Sequence, residues 1–469
     1  MAKLDVMLIH PLVNYKVSPT LIKHDSYLNH PPLGILYLHS CLKEAGIKSK
    51  TYDMMTQLDT LEKIIKEIEK TKTKIVGISA LTCQIRGAVQ LAKAIKKHFG
   101  NKVTTVLGGI HITADPGIMD KHKCFDIGIM GEAEITFTQV VKDILKGKKV
   151  KRVIEATPPD DLDALPLLDL DSIDFSLYPD YLMNNIEASR GCPYRCVFCT
   201  NSNIRKKIRF KSPKRVVEEI EYIKSKTNNN PVFTFVDDTL TLHRDRIIEI
   251  CNLIKEHNLN IEFSAMTRVN VVDDELLHNL KNAGCNRLMF GIESGNERVR
   301  EQVVGKKITE EQVKNAFSLC NKYGILVDVF LMMGFPTETV EEMKDTCNFP
   351  FKYNINEFGI HLTVPLPGSL LWKNSIANGD IPGTLVEDYI EGNLGPGFRD
   401  SWPRFIPQGV TREQMDKLIK DTYMRYYFSS RYLMKKGLYT LKNFNIRQFK
   451  SDLRSALSIA KSGYSAWGK

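Results

Sequence analysis

Three things are scarce in this sequence, and each scarcity excludes a class of protein. No stretch reaches the roughly 18 uninterrupted apolar residues that a membrane-crossing helix needs. Ten cysteines in 469 residues are too few and too dispersed to form a disulfide framework. Charge of one sign is also lacking over most of the chain. Residues 401–469 hold 14 Lys and Arg against 4 Asp and Glu, a surplus of 10 that equals the whole net charge of +10. The remainder is balanced, so a uniformly basic nucleic-acid binder is disfavoured. The opening Met1-Ala2-Lys3-Leu4-Asp5 has no long apolar core of a secretory leader. A cytoplasmic location is expected.

What is present is a long α/β pattern. Short apolar runs at Asp5–His10, Lys48–Asp53, Ile75–Ser79, Val103–Leu107 and Phe125–Met130 alternate with helical periodicity at Gly34–Ala45, Leu61–Lys70, Ile85–His98 and Ile135–Lys146. This alternation predicts a doubly wound parallel sheet over residues 1–150, with its ligand beyond the carboxyl ends of the strands. Those ends carry Gly77-Ile78-Ser79, Gly108-Gly109 and Gly131-Glu132-Ala133-Glu134. Residues 151–184 are rich in Pro and Asp and read as a linker.

A second series of strands begins at Asn185, with candidates at 185–189, 232–236, 261–266, 287–291, 326–332 and 357–364. Six β/α units over residues 185–385 predict a partial (β/α)6 barrel, whose chemistry sits at the strand carboxyl ends. Residues 386–469 are expected to form a helical, basic region. Within it, Tyr423–Lys436 interleaves aromatic and basic side chains. Such a segment either packs on the barrel or lies on an anionic membrane surface.

Seven cysteines are scattered and read as small core residues, but Cys192, Cys196 and Cys199 fall within eight residues. Three thiolates at CxxxCxxC spacing can hold three irons of a cubane and leave the fourth open. An open iron can chelate the amino and carboxylate groups of S-adenosylmethionine (SAM). A structural zinc site wants a fourth ligand. None follows closely, the nearest downstream being His243 and Cys251.

This CxxxCxxC, placed after a first barrel strand, resembles that of the radical SAM superfamily over roughly residues 185–370. The resemblance implies SAM contacts at Asp237 and Asp238 of Phe235-Val236-Asp237-Asp238, and at Ser264 and Arg268. It also implies contacts at Glu293 and Ser294 of Gly291-Ile292-Glu293-Ser294-Gly295, and at Gly334 of Gly334-Phe335-Pro336. The second-strand motif departs from the family pattern, being Asp-Asp rather than Gly-Gly-Glu.

Residues 5–145 resemble the cobalamin-binding domain fused to one radical SAM class, implying corrin contacts at Gly77, Ser79, Gly108, Gly109, Gly131 and Glu132. An Asp-x-His-x-x-Gly motif for a lower cobalt ligand is absent, and His10, His30 and His111 read as hydrogen-bond partners. A domain that keeps this fold without a corrin is the alternative. The full resemblance implies an enzyme with a [4Fe–4S] cluster, SAM and cobalamin that C-methylates an unactivated carbon. An oxidative cyclase or rearrangement enzyme is the second reading. The implied partners are a small-molecule, lipid or pigment substrate and an electron donor such as flavodoxin or ferredoxin, with no nucleic acid.

Overall fold

The computed structural model describes residues 3–15, 30–179, 184–204, 207–395, 398, 402–430, 432 and 434. Contacts divide the chain into two units. One comprises Met1–Leu240, Asp245–Phe263 and Pro365–Pro403, the other Thr241–Arg244, Ser264–Val364 and Arg404–Lys469.

The first unit is built on a parallel six-stranded sheet. In chain order it runs β1 (Val6–His10), α1 (Leu33–Glu44), β2 (Ser49–Asp53), α2 (Leu61–Thr71), β3 (Ile75–Ser79), α3 (Ile85–Phe99), β4 (Thr104–Gly108), β5 (Ile127–Met130), α4 (Glu134–Leu145) and β6 (Val153–Glu155). The strand order is β2-β1-β3-β4-β5-β6. It reverses between β1 and β3, where Val6 pairs with Ile75 and Ile9 with Ile78, and this is the switch point at which doubly wound sheets bind ligands. Strands buried on both faces need continuous apolar runs, and Val6-Met7-Leu8-Ile9 supplies one. Val6, Leu8, Ile75, Val106 and Ile127 join Phe137, Val140 and Val141 of α4 in one core. β6 lies in the stretch read from sequence as a linker. Three residues, Val153-Ile154-Glu155, two of them exposed, make too short a run to register.

The chain continues with β7 (Asn184–Ile186), β8 (Ser189–Arg190), β9 (Arg209–Phe210), α5 (Pro213–Lys226), β10 (Val232–Phe235), α6 (Arg244–Glu256), β11 (Glu262–Thr267), α7 (Asp274–Asn282), β12 (Cys285–Glu293), α8 (Glu310–Lys322), β13 (Leu326–Met333), α9 (Val340–Lys352), β14 (Glu357–Leu362), α10 (Leu370–Ala377), α11 (Leu385–Glu391) and α12 (Arg412–Tyr427). A second sheet has the order β14-β13-β12-β11-β10-β7. This sequential order, with parallel pairing at β7/β10, β12/β13 and β13/β14, is that of a partial barrel; a doubly wound order would reverse. α8, α9 and α12 each begin with a reciprocal capping box, Thr309 with Gln312, Thr339 with Glu342 and Thr411 with Gln414.

Within the second unit, Tyr423 and Tyr426 of α12 are buried, and both rings pack on Phe358 of β14. This part of the aromatic–basic segment therefore packs against a strand. Arg431, Leu433, Lys435 and Lys436 lie outside the described residues. No helix among the described residues is long and apolar enough to cross a membrane.

The turn after β13 depends on Glu338, which the sequence pattern did not single out. Gly334 sits at φ +89°, and the Gly334 and Phe335 amides donate to Glu338 Oε2 at 2.7 and 2.9 Å. Burial raises the Glu338 pKa to about 7, against those two bonds. The folded state thus holds its proton to a higher pH than the unfolded state. Stability should fall as pH rises from about 4.5 to about 7, by up to about 3 kcal/mol, and stay level above. Glu338→Gln should flatten that window. Melting temperatures of both proteins at pH 5 and pH 8 test this, and an equal drop in the two would contradict it.

Candidate cofactor site

Ser189 and Arg190 lead directly into the cysteine loop. They pair with β9 antiparallel, so a short hairpin brackets Cys192, Cys196 and Cys199. Cys196 is buried and the other two are half-buried, with the Cys199 amide bonded to the Cys196 carbonyl at 3.0 Å. Arg195 points outward and Phe198 is half-buried. No disulfide joins these thiols. Among the described residues no three His, Cys, Asp or Glu side chains converge on one point as a single metal ion requires. Three thiols spread around one loop suit a cubane, where each takes a different iron.

The loop is held from two sides within its unit. Asp237 is 1% exposed, accepts from the Ala188 amide at 3.0 Å, and pairs with the Ser189 hydroxyl. Burial pushes its pKa up to about 6, despite those two bonds. Its carboxylate is therefore a strut under the hairpin, which leaves only its backbone for the SAM contact inferred from the motif. Asp238 is half-buried and accepts from Asn201 at 3.0 Å, while Thr239 Oγ1 approaches Cys192 Sγ at 3.9 Å. On the other side, the Leu371 amide donates to the Val197 carbonyl at 2.8 Å and Thr200 to the Pro367 carbonyl at 3.2 Å. Gly368, at φ +84°, packs where a Cβ would meet Ala114 and Thr200. The turn Pro365–Ser369 thus backs onto the cysteine loop.

Beyond the carboxyl ends of β1, β3, β4 and β5 lies a cavity of about 710 Å³. All six residues assigned to corrin from the sequence line it: Gly77, Ser79, Gly108, Gly109, Gly131 and Glu132. Its wall also includes Glu187 and Arg190 of the strand-to-cysteine segment and Arg209 of β9. An added Cβ on Gly108 would meet nothing within 4 Å, so the strand edge stays flat toward open space. Gly109, at φ +95°, lies against backbone atoms of Ala80 that a Cβ would approach to 2.7 Å. A flat, bulky group fits such an edge.

Of the histidines, His10 lines the cavity, but Asp53 at 2.8 Å and Gln84 at 2.7 Å occupy its two ring nitrogens. His111 is buried outside it beside Thr82, and burial pushes its pKa down to about 3. His30 does not line it either. Among the described residues, His10 is thus the only histidine on the wall, and both its ring nitrogens are engaged.

One group of charges escaped the sequence reading. Arg190 is 5% exposed and donates to Glu187 at 2.7 Å, Glu132 at 2.8 Å and Glu134 at 2.6 Å. Arg209 donates to Glu132 and to the Pro159 carbonyl. Burial works against the Arg190 charge, but the three carboxylates outweigh it and hold its pKa above the ordinary value. Its guanidinium stacks over Tyr37, whose hydroxyl accepts from Lys211 at 2.8 Å. The doubled acid in Gly131-Glu132-Ala133-Glu134, followed 56 residues later by an arginine touching the cysteine motif, was the only signal available.

In the second unit, Glu293 ends β12 at φ +69°, just past a register shift between Gly291 and Glu293, a sparsely populated backbone state for a non-glycine. Its side chain accepts from Lys306 at 2.7 Å, and Arg268 donates to the Lys306 carbonyl. Arg268, Lys306 and Glu293 form one chain of contacts, and Ser264 lies half-buried on β11. Ser294 is fully buried and bonded to Thr346 at 3.0 Å, so its hydroxyl serves the packing of α9 and not an open site.

Known proteins share these features. The radical SAM superfamily model matches residues 186–349, and the B12 binding domain model matches residues 19–141. An uncharacterized methyltransferase of Pyrococcus horikoshii is 31% identical over 423 residues, 86% of this chain and 89% of that one. The chain belongs to the radical SAM superfamily. An anaerobic magnesium-protoporphyrin IX monomethyl ester cyclase of Rubrivivax gelatinosus is 26% identical over 91% of this chain and 78% of its own. In fold, the chain is similar to the radical SAM methyltransferase TsrM of Kitasatospora setae, solved with cobalamin and a [4Fe–4S] cluster bound. The TM-score is 0.64 at 16% identity, covering 82% of this chain and 80% of that one. This radical SAM protein is an enzyme whose cofactors are a [4Fe–4S] cluster, SAM and cobalamin.

The two adjacent glycines separate fold from binding. Gly109→Ala should destabilise the protein by about 1–3 kcal/mol, through its left-handed backbone and the Ala80 contact. Gly108→Ala should leave stability within about 0.5 kcal/mol and weaken corrin binding only. Thermal melts and a cobalamin titration of each check this, and matched losses of stability would refute the distinction.

Proposed function

We propose that this enzyme methylates an unactivated carbon of a small molecule, taking electrons from a small carrier such as a flavodoxin or ferredoxin. The observation that supports this most is the cavity wall, in which Glu187 and Arg190, just before the cysteine loop, stand with the glycine edge of the first sheet. When bound, the cluster and SAM supply a 5′-deoxyadenosyl radical and cobalamin carries a transferable methyl group. Cys192, Cys196 and Cys199 hold the cluster in this reading, and the Gly77, Gly108 and Gly131 edge lets the corrin approach the sheet. The Asp237 carboxylate fixes the hairpin.

The methyltransferase name of the Pyrococcus relative supports methyl transfer. The cyclase name of the Rubrivivax relative supports the second reading, an oxidative cyclisation. Products separate the two. Reduced, cluster-loaded enzyme with SAM, cobalamin and a candidate substrate should release S-adenosylhomocysteine together with 5′-deoxyadenosine, and Cys196→Ala should abolish the latter. 5′-Deoxyadenosine alone would favour cyclisation. Neither product, with an intact cluster and turnover of the substrate, would contradict both.

A further inference from the structure

The strands of the second unit separate two faces. On β13, Val329, Leu331 and Met333 are buried, while Phe330 and Met332 between them are half-buried. On β14, Phe358 and Ile360 are buried and His361 is exposed. The buried set faces the helices: Phe290 packs on Phe317 of α8, and Phe358 on Tyr423 of α12. Successive side chains on a strand alternate, so the other set looks toward the interior of the partial barrel. That set includes Met266 of β11, 37% exposed, and half-buried Met289 of β12. An ion pair of Arg287 with Asp328 closes this face where the strands begin. Met266, Met332 and His361 stand toward the carboxyl ends, where barrels place their chemistry.

Register sets Gly291, Phe330 and Gly359 side by side across three strands. A Cβ on Gly291 would stand 2.7 Å from Lys306 Nζ, and one on Gly359 2.9 Å from His361 Nε2. Polar side chains thus lie over both glycines, and Phe330 stands between two poles about 10 Å apart, twice the strand spacing. One pole is the Glu293–Lys306 ion pair, in which each side chain is 8% exposed and the charges cancel. Glu293 belongs to the motif read as a SAM contact. The other pole, His361, belongs to no motif, yet on these strands from Ser264 onward it is the only exposed polar side chain. An imidazole keeps at least one N–H in either charge state, so it always offers a donor to an oxygen acceptor. Methionine side chains adapt to apolar bodies of varied shape.

We propose that His361 is a substrate-binding residue, donating to an anionic or carbonyl oxygen of the substrate while Phe330, Met266 and Met332 cover its apolar body. The selected substrate is a largely apolar molecule whose acceptor oxygen lies about one ring system from the reacting carbon. This rests on the proposed function and names the chemical class that its site takes.

Two probes with the same rings separate the polar contact from the apolar one. Full-length enzyme loaded with cluster and cobalamin is titrated by equilibrium dialysis with 1-anilinonaphthalene-8-sulfonate and with N-phenyl-1-naphthylamine, which lacks the sulfonate. Thermal melts confirm folding. The wild type should bind the sulfonate more tightly. His361→Ala should weaken the sulfonate about tenfold or more and leave the neutral probe within about twofold. Gly359→Ala keeps the imidazole but displaces it without backbone strain, since Gly359 is not left-handed, and should weaken the sulfonate likewise. It carries the test if His361→Ala melts early. Equal changes toward both probes, no change toward either, or a wild type that binds neither would overturn the assignment. Reductive cleavage of SAM by the wild type, measured without probe, is the separate check. Its absence with an intact cluster would contradict the proposed function, whereas its presence leaves that function standing whatever the probes show.

Discussion

Arg190 is the residue on which the site geometry of the first unit turns. It precedes Gly191-Cys192 directly, and its guanidinium is fixed by Glu187, Glu132 and Glu134. Glu132 lies in the loop after β5 and Glu134 opens α4, at the carboxyl edge of the first sheet. One cation therefore ties the segment entering the cysteine loop to the edge expected to hold the corrin. Breaking a buried pair of this kind by removing one partner costs about 3–5 kcal/mol, because the remaining charges stay buried. The more interesting consequence is positional. In the proposed methyl transfer the radical and the methyl donor meet at one substrate carbon, which requires the two supporting loops to be held together.

The same economy of parts appears beneath the loop. Asp237 ties Ala188 and Ser189 together, and Arg246 donates to the Ala188 and Lys211 carbonyls at 2.8 and 2.7 Å. Lys211, fully buried, joins Glu219 of α5 to Tyr37 of α1. Polar groups are costly to bury without partners, and these contacts supply them beneath the loop.

Much of this was legible in the sequence. The alternation of apolar strands and amphipathic helices marked nearly every strand of both sheets to within a residue or two, because parallel strands buried on both faces cannot hide their composition. The cysteine spacing marked the loop bracketed by β8 and β9, and the glycines at the strand ends lie on the cavity edge. What stayed hidden depends on contacts distant in sequence. Little local distinguishes Arg190 from a surface arginine, since two of its three carboxylate partners lie 56 and 58 residues away. Asp237 and Ser294 looked like ligand contacts from their motifs, but the fold turns their side chains toward Ser189 and Thr346. β6 was missed because it is short, exposed and set in a Pro- and Asp-rich stretch.

The central claim is that one chain holds both an iron–sulfur cluster and a corrin. It is tested most directly by counting metals after anaerobic reconstitution with iron, sulfide and cobalamin, alongside a UV–visible spectrum. The account predicts about four irons and about one cobalt per chain, with the iron lost and the cobalt retained in Cys192→Ala/Cys196→Ala/Cys199→Ala. Zinc in place of iron, or a chain that keeps iron but excludes cobalt, would contradict it.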